Sequence, residues 1–449
     1  MVQRIFARSA WIAGGWASSV RLTLHRGLIV SVETDVQPEP GDDRHDLVVP
    51  AMPNLHSHAF QRAMAGLAEV RGPRDDSFWS WRTTMYRFAL SMTPEQVEAV
   101  AAQVYMEMLE AGFGRVGEFH YLHHDRDGTP YSDVAEMAVR IAAAAGQAGI
   151  SLTLLPVFYA HSGFGGAAPT EGQRRFVNTL DTFARLTERC REIVASIPGA
   201  VVGVAPHSLR AATPPQLAKV VDLSGEGPVH IHIAEQVREV DDCIAWSGAR
   251  PVEWLLDNAP VDTCWCLVHA TQMTARETAR MARTGAVAGL CPITESNLGD
   301  GIFKLPSFMR AGGRFGVGTD SNVLVSVADE LRTLEYSQRL VHRARNVAAT
   351  PGGSTGAALF AGALAGGSQA LGHTAGLRAG DPADLVSLDT SAVPYLDAAQ
   401  ALDHWIFAGG VRPKVVWARG SRVVEDGRHI HREAIAARFG SVMRSLLAA

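Results

Sequence analysis

Eight short apolar runs recur through the middle of the chain, separated by stretches of helical periodicity, and this alternation constrains the fold more than any other feature. The runs occupy 48–55, 115–121, 151–159, 200–208, 228–235, 264–270, 286–292 and 314–320. Between them lie patterns such as TPEQVEAVAAQVYMEMLEAG, in which Thr93 reads as an N-cap, Pro94 as the first helical residue and Gly112 as the stop. Strand followed by helix, eight times over, predicts an α/β chain folded as a (β/α)8 TIM-like barrel of parallel strands. The chain ends read differently. RLTLHRGLIVSVETD near the start, and DLVSLDTS with PKVVWARGSRVVEDGRHI near the end, have the alternation of short strands and hairpins. They are expected to pair into one small flanking β-sandwich built from both chain ends, 1–48 and 375–432, beside a barrel of 49–374, with 433–449 as a closing helix.

A chain of 449 residues with 47% hydrophobic content can bury a core of this size. Its net charge of -5 and scattered arginines give no basic field, so nucleic acid is not expected as a partner. No run reaches the roughly 18 apolar residues a membrane span needs. Five cysteines without CxxC spacing, and an N-terminal stretch without a secretory pattern, point to a reducing cytoplasm. A homodimer is left open.

In a (β/α)8 barrel the chemistry gathers at the C-terminal ends of the strands. There the runs carry His56-Ser57-His58, His120-Tyr121, His207-Ser208, His232 with Glu235 three residues on, His269, and Asp320-Ser321-Asn322. A histidine at one strand end, taken alone, reads as a solvated polar residue, and Asp320 alone as a helix N-cap. Histidines at five strand ends point instead to a site. Period-two geometry puts His56 and His58 on one side of an extended segment, where both imidazoles can meet one ion. His230 shares a face with His232 and reads as a packed barrel histidine. His123 and His124, beside Asp125, read as a solvated loop.

This pattern resembles the amidohydrolase superfamily: HxH after the first strand, His after the fifth and sixth, Asp after the eighth. The HIHIAEQ segment resembles its deaminase branch, in which the Glu handles protons. The resemblance implies metal ligation by His56, His58, His232 and Asp320, with Glu235, His269 and Asp320 as catalytic groups; whether His269 or Asp320 is the main base stays open. Superfamily members that bridge two metals use a strand-end lysine. The three lysines here, Lys219, Lys304 and Lys414, lie at no strand end. One metal is therefore expected, Zn(2+) first, with Fe or Mn able to use the same ligands.

A narrower resemblance is to the formimidoylglutamate deiminase family, carried by NLHSHAFQRAMAGL, FWSWRTTMY, EFHYLHH and APHSLRA. It implies that Gln61, Arg82, Tyr121, His207 and Arg210 surround a small dicarboxylate, whose carboxylates suit guanidinium groups. Without it, Arg82 reads equally well as an exposed helix residue and Arg210 as a surface loop residue. Two alternatives stand beside this expectation. One is another deaminase of the superfamily, acting on an aminopurine, pterin or guanidino compound; the other is a non-catalytic barrel with a structural metal.

Overall fold

A computed structural model describes residues 2–72 and 76–448 of the chain. Met1 and Ala449, the ends of the expected outer domain and closing helix, lie outside the described residues. All eight apolar runs contribute parallel barrel strands: Met52–Ser57, Phe113–His120, Ser151–Phe158, Val201–Val202 with Ala205–Pro206, Val229–Ile233, Trp265–His269, Val287–Leu290 and Arg314–Val317. The fourth run is split at Gly203, where a Cβ would stand 2.3 Å from the Pro228 carbonyl oxygen.

Strands one to four form one hydrogen-bonded sheet and strands five to eight another. Single bridges join them at both seams. Val204 and Ser208 meet Val229 and His232, and Ser57 meets Asp320. At the second seam the Asp320 amide donates to the His56 carbonyl at 3.0 Å and the His58 amide to the Asp320 carbonyl at 2.9 Å. The ring of strands thus continues through the residues that carry the polar strand ends.

Local sequence accounts for the helices. Pro94–Glu110 opens on a capping box, Thr93 accepting from the Gln96 amide and Gln96 reaching back to Thr93, and Gly112 takes φ of +96° beyond its end. Phe78–Ser91 opens likewise on Ser77 and Ser80. Among the described residues no helix is long and apolar enough to cross a membrane.

The outer strands form a single eight-stranded sheet from both chain ends. All of its neighbours are antiparallel except Val2–Ile12 beside Asp43–Pro50. The sandwich is this sheet rolled on itself. Its edge strand Leu28–Glu33 returns to the segment 380–383, with Ile29 donating to the Asp381 carbonyl at 2.9 Å and Gly380 to the Ile29 carbonyl at 2.8 Å. The roll encloses its own apolar core, including Leu22, Ile29, Leu385 and Trp417. Strand Asp43–Pro50 pairs wholly within this sheet, so the first apolar run serves two layers: it leaves the outer sheet at Pro50 and enters the barrel at Met52. The closing helix, Arg432–Ala448, is tied to helix Pro94–Glu110 by Arg438 on Glu98 at 2.7 Å and by Arg432 on Glu110.

Candidate metal centre and cavity

His56, His58, His232 and Asp320 converge. One ligand atom from each lies within 4.8 Å of the others, and all four residues are buried. The Nε2 atoms of His56 and His232 are 2.9 Å apart, and Asp320 Oδ1 is 3.4 Å from His56 Nε2 and 3.2 Å from His58 Nε2. His58 Nδ1 donates to the Phe119 carbonyl at 2.9 Å, which leaves Nε2 as the free lone pair facing the cluster. Burial pushes His56 down to about 3, against the pull of Asp320, so its ring is neutral as a ligand must be. Burial works to raise the Asp320 carboxyl, but His56 and His58 outweigh it and hold it well below the usual carboxylate range. Three imidazoles and one carboxylate on a common point fit a divalent transition ion.

The seam between strands one and eight is locked by amides. Asn54 Nδ2 donates to Thr319 Oγ1 at 2.7 Å, and its Oδ1 accepts from the Thr319 amide at 3.0 Å. Asn322 Nδ2 donates to the carbonyls of His58 and Asp320. These bonds hold Asp320 and Asn322 in a backbone that side chains disfavour, at φ +46° and +55°, and the residues at the ends of strands five and six, Ala234, His269 and Ala270, are left-handed too, at +49°, +67° and +51°. Left-handed residues cost on the order of 1–2 kcal/mol each, and such strain collects where a site is over-determined by its surroundings.

His269 sits beside the cluster. Its Nδ1 is 3.3 Å from Glu295 Oε1, and its Nε2 is 3.8 Å from Asp320 Oδ2 and 3.9 Å from Glu235 Oε1. Burial opposes its charge, yet Glu235, Glu295 and Asp320 together push the imidazole up to about 10. Burial also raises the Glu235 carboxyl, against the attraction of His269 and Arg210.

These groups open onto a cavity of about 600 Å³, measured with its mouth. Arg82 and Arg210 line it together with Gln61, Tyr121 and His207, so ten of the eleven residues anticipated from the sequence share one cavity, and His56 lies behind it as a member of the metal cluster. Gln61 Nε2 donates to the Tyr121 hydroxyl at 2.8 Å, and Gln61 Oε1 is buried without a partner. Arg82 stacks 4.6 Å from the Trp79 ring centroid. Burial works to lower Arg210, but Glu239 and Glu235 hold its pKa above the usual guanidinium value.

Sequence reasoning left some contributors out. Phe78, Trp81 and Met85 line the cavity alongside Arg82. Their spacing of i, i+3, i+4 and i+7 on helix Phe78–Ser91 marks one face and could have revealed them. Tyr159 and Phe176 complete an aromatic wall, Phe176 from a loop with no periodic signal. Glu295 and the Asn54–Thr319 pair also went unrecognised. His123 and His124 need correction. Both are buried, not solvated, because the segment at Arg175 covers their loop; their Nε2 atoms meet the carbonyls of Val157 at 2.8 Å and Val177 at 2.7 Å. His230 is fully buried, with Nε2 at 2.7 Å from the Ala370 carbonyl.

Known proteins match along almost the whole length. The model of the amidohydrolase family covers residues 47–423, and that of the N-terminal domain of formimidoylglutamate deiminase HutF covers 2–46. A formimidoylglutamate deiminase of Pseudomonas aeruginosa strain PAO1 is 51% identical over 99% of both chains. A 5-methylthioadenosine/S-adenosylhomocysteine deaminase of Natronomonas pharaonis is 28% identical over 85% of this chain and 82% of its own. Among solved structures, an amidohydrolase from Brucella melitensis superposes with a TM-score of 0.96 at 59% identity, covering 99% of this chain and 100% of that one. An adenosine deaminase from Xanthomonas campestris with bound zinc shares the fold, with a TM-score of 0.81 at 22% identity over 100% and 99% of the two chains. The convergent strand ends and this agreement along the whole length have one explanation: the chain belongs to the amidohydrolase family, and within it to the family of the formimidoylglutamate deiminases.

Proposed function

We propose that the protein hydrolyses N-formimino-L-glutamate to N-formyl-L-glutamate and ammonia, a step of histidine breakdown, as a metal-dependent deiminase. The observation that carries this reading is a single cavity lined both by the metal cluster with Glu235 and His269 and by the guanidinium groups of Arg82 and Arg210. One end suits a hydrolytic C–N cleavage and the other suits carboxylates. The 51% identical relative bears the name of this activity.

His56, His58, His232 and Asp320 would hold one ion, zinc by the match of donors, with iron or manganese able to use the same set. When bound, the ion supplies Lewis-acid activation of water at neutral pH. The chain's own groups do the rest. Gln61 orients the formimino group, its free Oε1 accepting from an imino N–H. Arg82 and Arg210 bind the carboxylates, with Tyr121 and His207 as further hydrogen-bonding partners. Asp320 takes up the proton of the attacking water, and His269, its ring fixed by Glu295 and held charged by the carboxylates around it, orients that water and helps the proton move. Glu235, whose carboxyl is raised by burial, protonates the imino nitrogen, is recharged by the proton of the attacking water to protonate the departing amine, and regains its proton as the adduct hydroxyl becomes the formyl C=O.

A second reading has one observation in its favour. The wall of Trp81, Tyr86, Tyr159 and Phe176 could stack a flat aminopurine, as a deaminase of nucleosides would require. The two cavity arginines weigh against it. Ammonia release across formimino amino acids, guanidino acids and aminopurines tests both readings. Formiminoglutamate is expected to be turned over best, and a preferred aminopurine would overturn the assignment.

A further inference from the structure

The reading of Glu235 as the proton donor leaves open what holds it in place, because it stands on a strained turn. Strand Val229–Ile233 ends immediately before Ala234, which is left-handed at φ +49°. A non-glycine residue leaves that conformation readily unless its neighbours are fixed. Here they are fixed from both sides. On one side Glu239 Oε2 accepts the Glu235 amide at 3.0 Å. On the other, Thr271 Oγ1 donates to the Glu235 carbonyl at 2.8 Å and lies 3.2 Å from the Ala234 carbonyl, which also accepts from the Gln272 amide at 2.9 Å. Glu239 and Thr271 are 1% and 4% exposed, so water does not compete for these bonds.

Glu239 is an unusual choice for such a task. A carboxylate buried to this degree is costly unless paired, yet its Oε1 has no hydrogen-bond partner. It stands four residues beyond Glu235 in the first turn of helix Val237–Ser247, where the helix amides favour negative charge. A charged acceptor holds an N–H more strongly than a neutral one does. Its charge also acts on Arg210 across the cavity wall. Neither Glu239 nor Thr271 lines the cavity.

We propose that Glu239 and Thr271 are positioning residues: they clamp the Ala234–Glu235 turn from its amide and carbonyl sides and so aim the Glu235 carboxyl at the reacting nitrogen. The proposal rests on the deiminase reading for the role of Glu235, though the clamp itself is a matter of backbone geometry.

Two variants at one position separate the bond from the charge. Glu239→Gln removes the charge but keeps an oxygen that can accept the Glu235 amide, whereas Glu239→Met removes both at similar volume. Any effect of the lost charge on Arg210 is common to the two, so their difference reports the bond alone. With formiminoglutamate, kcat of Glu239→Met should fall about tenfold or more below that of Glu239→Gln, with KM alike in the two. Thr271→Val, nearly isosteric, should lower kcat without raising KM and remains informative if Glu239→Met does not fold. Equal kcat in the two Glu239 variants, or wild-type kcat in Thr271→Val, overturns the clamp. Crystal structures of wild type and Thr271→Val read the turn directly, whatever the substrate: the clamp requires Ala234 or the Glu235 carboxyl to move in the variant, and an unchanged turn overturns it. If wild type releases no ammonia from formiminoglutamate, the functional reading falls while the crystallographic comparison still decides the clamp.

Discussion

His56 and His232, 176 residues apart in the chain, face each other through Nε2 atoms only 2.9 Å apart. Two neutral imidazoles at this distance cannot both present lone pairs to each other without repulsion. A cation bound by both Nε2 atoms would relieve it, and Asp320 would supply the balancing charge. His56→Ala should therefore lose both metal and activity, by about 100-fold or more in turnover. Elemental analysis of the purified variant beside wild type checks it. Prolonged chelation should silence wild type, and added zinc should restore it; full activity of metal-free wild type would refute the hydrolytic scheme.

Glu235 lines the cavity but is not one of the four clustered residues that could hold a metal. Glu235→Gln keeps its shape and removes the titrating oxygen, so metal content should match wild type while kcat falls about 100-fold or more. Metal loss in this variant would make Glu235 a ligand instead, and an unchanged rate would move the acid role to His269.

Arg82 reaches the cavity from helix Phe78–Ser91 and Arg210 from the loop after strand four. Replacing either by Met strands a substrate carboxylate, a loss on the order of 2–5 kcal/mol for a buried pair. Catalytic efficiency on formiminoglutamate should drop roughly 30-fold or more, with metal retained. Formiminoaspartate, one methylene shorter, should be much the poorer substrate of wild type. Steady-state kinetics decide both, and an Arg210→Met enzyme as efficient as wild type would rule out the dicarboxylate assignment.

Asp300 gives a pH dependence. Burial, reinforced by the negative charges of Glu235 and Glu295 and opposed by His269, pushes its carboxyl up to about 9, while an unfolded aspartate titrates near 3.8. Between those values the folded protein keeps a proton that the unfolded chain has lost. The contribution to stability is therefore fully present below the unfolded value and is lost as pH rises towards about 9. Asp300→Asn removes the titration, so the drop in Tm between about pH 5 and pH 9 should be smaller than in wild type. Calorimetric scans at several pH values test this, and parallel profiles would assign the dependence to another group.

The eight barrel strands were legible because each is a local pattern: a short apolar run needs only its own residues to declare itself, and the same holds for the caps at Thr93 and Ser77. The strand-end polar residues were legible for a related reason, since a parallel barrel places every strand's C-terminal end on one face. Residues separated by 176 positions, such as His56 and His232, could thus be assigned to one site from strand order.

Tertiary structure alone decided the rest. Whether a loop is wet depends on what lies over it, and nothing near His123 and His124 announces that the segment at Arg175 covers them. The roll of the outer sheet rests on backbone bonds between Ile29 and residues 380–381, which any sequence could make and none encodes by composition. Asn54 and Thr319, 265 residues apart, each read as ordinary polar residues until the barrel closes and pairs them. The side-chain periods of helix and strand are properties of a few neighbouring residues, so sequence determined the elements and the face on which the chemistry gathers. The partners of a buried polar group are set by the packing of the whole chain, so only the folded protein decided how the clustered histidines and Asp320, the strained turns and the two cavity arginines are each held in place.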